Sequence, residues 1–357
     1  MNIFKNLDSS QIQSVFRNES VFSPDYMPAE ILHREIEIRE AALNLAPIMK
    51  QKRASSMVFF GPPGTGKTTV ARHILAQLKE ATGRARGVYI NCWEQGYRYA
   101  ILGELLAAFD YPVSRRGRSA DELLSYAVEM LKKDGKTPLV VLDEVDMLPV
   151  EERDGILYDL LRMKENFGID AAVIALVNKE IFVSKLDRRI RSSLLQSVIT
   201  FNPYSPKQLR DILYERAKLG FVPGACEEDA IGLCVGFAAR NGGDARLGIN
   251  ALWLAGKEAD KEGSGRVLPA HAEKVKAAAQ ELMRKEAEQN LSSEEKKVLE
   301  EIRKAGRIQS GELYSRLKLN ERSVRNYLSK LEELGFVETV EIRSKDGNTR
   351  ILMPVKR

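Results

Sequence analysis

The chain has 357 residues, which exceeds the usual length of one domain and predicts two or three domains. Its 44% hydrophobic content excludes a largely disordered chain, and no apolar run reaches the roughly 18 residues that cross a membrane. A net charge of +5 excludes a strongly acidic protein and is compatible with a polyanionic partner.

The N-terminal sequence and the cysteines bear on the location of the protein. The first residues, MNIFKNLDSSQIQ, lack the basic flank and apolar centre of a signal peptide. Cys92, Cys226 and Cys234 lie far apart and lack the paired spacing of metal ligands. We therefore expect a reducing, cytoplasmic location and no membrane partner.

The first 200 residues alternate between short apolar runs and helical patterns. This alternation predicts a parallel sheet that is covered by helices on both faces. Asn202-Pro203 ends the region, so we assign residues 1–202, with an N-terminal extension at 1–25, to one α/β domain. The apolar runs are 57–60, 88–92, 139–144, 171–178 and 197–201.

The motif GPPGTGKT follows the first apolar run and precedes a helical pattern. It matches the P-loop pattern G-x-x-x-x-G-K-[ST], in which backbone N–H groups and a helix N-terminus surround phosphate groups. Lys67 would contact the β- and γ-phosphates, and Thr68 would bind Mg²⁺. The alternative is a glycine-rich turn without function, which the flanking strand and helix disfavour. The residues predicted to bind ATP or ADP here are Gly61, Pro62, Pro63, Gly64, Thr65, Gly66, Lys67, Thr68 and Thr69.

The run LVVLDE places Asp143 and Glu144 at the end of an apolar strand. Ligands of open α/β sheets bind at this edge. We expect Asp143 to hold Mg²⁺ through water, so that Thr68 and Asp143 form the metal site, and Glu144 to polarise the attacking water. Two solvated acids at a strand end are the alternative, which the P-loop disfavours. The adjacent acidic pair favours hydrolysis over nucleotide binding alone.

Beyond residue 202 the pattern changes from alternating to helical. Residues 203–288 show helical periodicity with breaks at 220–224 and 241–243, which predicts a small helical domain. A polar helix near 274–289 would connect it to a third domain at 289–357. There, Ser292 fits a capping box, and two further helices and a hairpin with an Asp-Gly turn follow. Three helices and a basic hairpin predict a winged helix.

The third helix of that domain, residues 320–334, has two distinct faces. Val324, Tyr327, Leu328 and Leu331 recur at helical spacing and predict a buried face. The other face and the hairpin carry Arg, Asn and Lys, which suit base edges and phosphates in a DNA groove. Protein contacts are the alternative. The predicted DNA-binding residues are Arg322, Ser323, Arg325, Asn326 and Lys330 in the helix and Arg343, Lys345 and Arg350 in the hairpin.

The P-loop, the acidic pair and the strand that ends at Asn178 resemble those of AAA+ ATPases. The resemblance implies that Asn178 is the sensor 1 residue, which orients water near the γ-phosphate; an asparagine that only ends the strand is the alternative. The segment GGDARLGINAL, residues 242–252, resembles the sensor 2 region of the helical lid. It implies that Arg246 reaches the γ-phosphate and joins Glu144 and Asn178 as a catalytic residue.

A narrower resemblance, to archaeal origin-recognition and replication-initiator proteins, spans nearly the whole chain. The segments 22–49, 184–194 and 201–221 carry it. The family implies that His33 and Arg34 lie beside the adenine and that Tyr204 and Arg216 contact the nucleotide.

Two positions depart from the family pattern. Arg188 stands where the family often has proline, which leaves open whether Arg188, Arg189 or Arg191 acts across a subunit boundary. Leu247-Gly248 replaces the usual second basic residue after sensor 2.

The family also carries an inserted helical element that meets DNA, near residues 114–124 of this chain. Arg115, Arg116 and Arg118 are the phosphate contacts expected there. A solvated basic loop is the alternative.

The expected fold class is α/β: an AAA+ three-layer domain with a parallel sheet, a helical lid and a C-terminal winged helix. The expected function is an ATP-regulated, DNA-binding initiator of replication, with slow hydrolysis that serves as a switch and with a place at the nucleoid. The resemblance implies origin DNA, the replicative helicase and other initiator subunits as partners. A branch-migration type of AAA+ motor and an ATP-sensing transcriptional regulator are the alternatives.

Overall fold

The computed structural model describes residues 14–50, 52–111, 117–178, 181–289, 291–317, 320–333, 336–344 and 347–355. The chain divides into two compact units, Met1–Glu273 and Lys274–Arg357. Among the described helices, none combines the length and the apolarity that a bilayer crossing requires.

A five-stranded parallel sheet forms the centre of the first unit, as the apolar runs predict. Its order is β2-β3-β4-β1-β5, so the first strand lies between the fourth and the fifth. β1 and β4 are buried along nearly their whole length, as expected for strands that are covered on both faces. The strands are β1 Met57–Phe60, β2 Ala85–Asn91, β3 Thr137–Asp143, β4 Ala172–Val177 and β5 Ser197–Thr200.

Helices cover both faces of the sheet and give the three predicted layers. One apolar cluster joins Val58 and Val140 to helices that follow β2 and β3. The other joins Phe59 and Val141 to the helix before β1 and the helix after the P-loop. The helices are α1 Glu35–Leu45, α2 Lys67–Ala81, α3 Arg98–Ala108, α4 Ala120–Asp134, α5 Val150–Leu161, α6 Met163–Phe167, α7 Ile181–Ser184 and α8 Arg188–Leu194. Short 3-10 turns occur at Glu19–Phe22, Ala46–Lys50 and Val145–Met147.

Four further helices follow β5, as the helical periodicity predicts. They are α9 Pro206–Gly220, α10 Glu228–Arg240, α11 Ala245–Glu262 and α12 Pro269–Gln289. A capping box between Ser205 and Gln208 begins α9. The boundary between the two compact units falls inside α12, and the limits of the three predicted domains stay predictions.

The described part of the N-terminal extension packs on these helices. The rings of Phe16 and Phe22 lie 5.1 Å and 4.9 Å from the ring of Phe221, which follows α9. The backbone N–H groups of Arg17 and Asn18 both donate to the carbonyl of Gly220. Residues 14–22 therefore pack against the helical region, where Val15, Val21 and Phe22 are buried.

The second unit has the predicted three helices and hairpin. The helices are α13 Ser293–Ala305, α14 Ser310–Leu317 and α15 Glu321–Glu333, and the strands are β6 Ile308–Gln309, β7 Val337–Ser344 and β8 Gly347–Pro354. The strands form an antiparallel sheet in the order β6-β8-β7. The two-residue strand β6 is not evident from the sequence, and Asp346 of the predicted Asp-Gly turn lies outside the described residues.

The aromatic cluster predicts opposite effects for two helix glycines. A Cβ at Gly256 in α11 would lie 2.5 Å from the Phe16 ring and 2.6 Å from the Phe221 ring, whereas a Cβ at Gly232 in α10 would meet nothing within 4 Å. Gly256→Ala should therefore lower the free energy of unfolding by about 1–3 kcal/mol. Gly232→Ala should raise it by about 0.5–1 kcal/mol, because alanine favours a helix interior.

Urea denaturation of both variants checks this pair. If Gly256→Ala stabilises the protein as much as Gly232→Ala does, the rings of Phe16 and Phe221 do not pack against α11.

Candidate functional site

The P-loop lies between the end of β1 and the start of α2. The Nζ of Lys67 donates to the carbonyls of Gly61 at 2.7 Å and Pro62 at 2.9 Å, and to Oδ1 of Asn178 at 2.8 Å. Lys67 is only 6% exposed, and burial lowers its pKa to about 8, although Asp143 opposes this shift. The predicted sensor 1 residue thus contacts the P-loop lysine directly.

Asp143 ends β3 beside the first turn of α2. Its Oδ2 accepts from the Thr68 hydroxyl at 2.6 Å and from the Tyr89 hydroxyl at 2.7 Å. Hydroxyl and carboxylate oxygens suit Mg²⁺, which in such sites keeps several waters and phosphate oxygens as further ligands. Within the described part of the chain, no group of three or more acidic, His or Cys side chains could hold a metal by itself. Thr68 and Asp143 fit a Mg²⁺ that is shared with a nucleotide.

Glu144 has a strained backbone and a perturbed carboxyl. Its φ of 55° lies in the left-handed region, which costs a non-glycine residue roughly 1–2 kcal/mol. Burial raises its pKa, and the charges of Asp143 and Asp146 add to the rise. A carboxyl with a raised pKa is suited to accept a proton, as the predicted water-polarising role requires.

The lid meets the P-loop at the start of α11. Asp244 caps this helix and forms an ion pair with Arg246 at 2.8 Å. The Asp244 carboxylate lies where a Cβ at Gly64 would be, and the N–H of Ala245 donates to the Gly64 carbonyl at 3.3 Å. Because Gly64 also has a φ of 72°, only glycine fits there.

Arg34 lies beneath the P-loop. It is 4% exposed and donates to the backbone oxygens of Thr65 at 2.9 Å and Asn202 at 2.7 Å. Its guanidinium also pairs with Glu37 and lies 4.1 Å from the centre of the Tyr204 ring. These contacts join the start of α1 to the P-loop.

His33 and Arg216 connect the N-terminal segment to α9. The Nε2 of His33 lies 2.8 Å from Oδ2 of Asp211. Arg216 donates to the Val21 carbonyl at 2.8 Å, and its guanidinium lies 4.4 Å from the centre of the Tyr26 ring.

These elements enclose one cleft of about 1870 Å³. It is lined by the predicted residues His33, Pro63, Gly64, Gly66, Lys67, Thr68, Thr69, Asp143, Glu144, Asn178, Tyr204, Arg216 and Arg246. Arg34, Gly61, Pro62 and Thr65 support the cleft without lining it, and the proximity of Arg34 to the adenine stays a prediction.

Several contacts of the cleft were not predicted from the sequence. They are the contacts of Tyr89 with Asp143, of Asp244 with Arg246 and Gly64, and of Asp211 with His33. An aspartate just before a helical pattern is a common cap, so Asp244 had a recognisable signal. Nothing in the local sequence marks Tyr89 or Asp211.

The predicted DNA-reading helix has the expected amphipathic character. Val324, Leu328 and Leu331 are buried in the core of the second unit, whereas Arg325 and Asn326 are exposed. Ser323 is half-buried and Arg350 is exposed. The side chains of Arg322, Lys330 and Arg343 are outside the described part of the structure, as is the whole of Lys345.

The second predicted DNA element is described only in part. The guanidinium of Arg118 lies 4.7 Å from the centre of the Tyr126 ring, next to the capping box of α4. Arg115 and Arg116 lie outside the described residues.

The three arginines around α8 differ in their contacts. Arg191 donates to the backbone oxygen of Ser184 at 2.8 Å, and Arg189 pairs with Asp187 at 3.1 Å. Arg188 is exposed at the first residue of α8. A role of any of the three across a subunit boundary stays a prediction.

Family models match three successive parts of the chain. They are a AAA domain at residues 50–181, a Cdc6 AAA+ ATPase-type lid domain at 210–280 and a winged helix-turn-helix DNA-binding domain at 295–338. The predicted order of sheet domain, lid and winged helix is thereby confirmed.

Relatives resemble the chain over nearly its whole length. The ORC1-type DNA replication protein 1 of Aeropyrum pernix is 34% identical, over 94% of this chain and 91% of the relative. The protein of the same name from Archaeoglobus fulgidus is 32% identical, over 98% of this chain and 90% of the relative.

Solved structures show the same likeness. The Aeropyrum pernix ORC1 protein in complex with DNA has a TM-score of 0.71 at 30% identity, over 96% of this chain and 94% of that chain. Cdc6p from Pyrobaculum aerophilum has a TM-score of 0.68 at 27% identity, over 96% of this chain and 95% of that chain. The predicted resemblance is confirmed.

The lowered pKa of Lys67 predicts a pH dependence of ATP binding. With a pKa of about 8, the ammonium is mostly charged at pH 7, and about one tenth of it is charged at pH 9. ATP affinity should therefore fall roughly tenfold from pH 7 to pH 9, as measured by equilibrium binding. Stability of the nucleotide-free protein should change the opposite way. The pKa of Lys67 in the folded state lies below its unfolded value of 10.5. The contribution of Lys67 to the free energy of unfolding therefore rises with pH between these two values.

The matched control is Lys67→Arg, whose guanidinium stays charged throughout this range. That variant should bind ATP with little dependence on pH between 7 and 9. An equal fall in affinity for both proteins would assign the effect to another group.

Proposed function

The chain belongs to the ORC1-type DNA replication protein family, and we propose that it is an ATP-controlled, DNA-binding initiator of replication. One observation carries the proposal: a single cleft contains the P-loop lysine of the sheet domain and Arg246 of the lid. A nucleotide that contacts both would set the position of the lid relative to the sheet domain. The DNA-bound relative supports DNA as the partner.

ATP and ADP are the proposed nucleotides. Lys67 would neutralise the β- and γ-phosphates, while the start of α2 would supply backbone N–H groups. Tyr204 and Arg216 would lie near the base and sugar, with His33 closing that side. When bound, Mg²⁺ would neutralise phosphate charge, and Thr68 and Asp143 are the residues that would hold it.

Hydrolysis is proposed as a slow step that resets the switch. Glu144, with its raised pKa, would take the proton of the attacking water. Asn178 is held by Lys67 and by Asp146, whose Oδ2 accepts from its backbone N–H at 3.2 Å. In this proposal, Asn178 would orient that water. Arg246 would move from Asp244 toward the γ-phosphate and stabilise its developing charge.

The winged helix is the proposed DNA reader. Exposed Arg325 and Asn326 on α15 would reach base edges, and Arg350 on β8 would contact phosphates. On the family likeness alone, we extend the proposal to origin DNA, recruitment of the replicative helicase and association with other initiator subunits. The proposed location is the nucleoid in the cytoplasm.

The ATP switch predicts different footprints for two variants. Glu144→Gln should bind ATP but not hydrolyse it, so its ATP-dependent footprint should persist over hours. Lys67→Ala should lose nucleotide affinity, since phosphate charge loses its partner, and its footprint should not change with ATP. DNase footprinting on genomic fragments selected by the protein, with and without MgATP, measures this.

Two outcomes would contradict the switch. One is a footprint of the unaltered protein that is the same with and without ATP. The other is rapid, DNA-stimulated hydrolysis that drives strand or branch movement, which would indicate a motor.

The base-reading helix predicts a sequence-dependent effect of Arg325→Ala. If Arg325 makes bidentate base contacts, its loss should cost about 1–3 kcal/mol on the selected site and much less on unrelated DNA. Fluorescence anisotropy at fixed salt measures both affinities. The control is Arg316→Ala, because Arg316 lies on α14 and pairs with Glu312 at 2.6 Å. Equal weakening on all sequences would make Arg325 a phosphate contact.

A further inference from the structure

Asp143 receives two hydroxyl donors on one oxygen. Thr68 and Tyr89 both donate to Oδ2, at 2.6 Å and 2.7 Å. The threonine belongs to the P-loop motif, whereas the tyrosine lies 21 residues beyond it in β2. A carboxylate that accepts two fixed donors on one oxygen has a fixed rotamer, and its other oxygen is thereby given a fixed direction.

The tyrosine is itself held in place by the backbone and by α2. β2 and β3 pair in parallel, with Tyr89 opposite Val141 and Asn91 opposite Asp143. The guanidinium of Arg72 lies 4.3 Å from the centre of the Tyr89 ring.

Arg72 follows Thr68 by four residues on α2, which is one turn of the helix. The two residues of one helix face thus act on the same carboxylate: Thr68 bonds to it directly, and Arg72 holds the ring whose hydroxyl bonds to it. Tyr89 therefore links three elements at the metal edge of the cleft.

We propose that Tyr89 is a positioning residue for the metal-binding carboxylate of Asp143, and that it sets the affinity of the nucleotide-bound site for Mg²⁺. This inference rests on the proposed function, because it concerns the same cleft. Residues that orient metal ligands through hydrogen bonds typically change metal affinity 10–100-fold when they are removed. Tyr89→Phe deletes the hydroxyl and leaves the ring under Arg72.

The experiment titrates Mg²⁺ into the full-length protein with a fluorescent ATP analogue. For Tyr89→Phe, the Mg²⁺ concentration that gives half of the maximal change in analogue binding (the Mg²⁺ half-point) should rise roughly tenfold. Affinity for the analogue in EDTA should stay within about twofold of the unaltered protein, because the hydroxyl acts on the metal ligand and not on the nucleotide. Thermal unfolding in EDTA confirms that the variant is folded.

The control is Tyr158→Phe, on a half-buried tyrosine of α5 that does not line the cleft. It should leave the Mg²⁺ half-point unchanged. The proposal is overturned if Tyr89→Phe has the half-point of the unaltered protein, or if it weakens binding equally in EDTA, which would indicate a general structural role. If the unaltered protein binds no ATP analogue, the proposed function fails instead.

Discussion

A nearly buried ammonium is the constraint on which the cleft depends. Lys67 places its charge where water is largely excluded, and an unpaired charge there would cost several kcal/mol. Three oxygens bond to it, two from the P-loop backbone and one from Asn178 after β4. The third is available only because β4 lies beside β1 in the sheet. Strand order therefore determines which side chain pairs with the buried charge, and a phosphate would replace these oxygens with a stronger partner.

Much of the fold could be predicted because its signals are local. The buried strand at 139–143 is recognisable in the sequence from its nearly continuous apolar residues. The P-loop is recognisable because the strand and the helix that position it are its immediate neighbours in the chain. The amphipathic pattern of α15 likewise identifies its core face without knowledge of its neighbours. The winged helix followed from three such helices and a hairpin. The strand β6 was not predicted, because a pair of residues has no periodicity.

The contacts that complete the cleft could not be predicted, because they depend on the register of distant elements. Tyr89 reaches Asp143 only in the observed pairing of β2 with β3, and a shift of one residue would turn its side chain to the other face. Asp244 and Gly64 are 180 residues apart in the chain, so no local sequence pattern indicates that they are in contact. The bonds from Arg34 to the carbonyls of Thr65 and Asn202 likewise depend on elements distant in sequence, while its proximity to the adenine stays a prediction.

The N-terminal segment contacts both the lid and the P-loop. Residues 14–22 are fixed to the lid helices by three phenylalanine rings and by backbone bonds to Gly220. Arg34 is fixed to the P-loop. Between these two attachments, several residues from 23 to 33 form one wall of the cleft. His33 ends this stretch with a φ of 62°, in a region where a non-glycine backbone is strained. His33 also contacts Asp211 of the lid, so the strained residue lies where the N-terminal segment, the lid and the cleft meet.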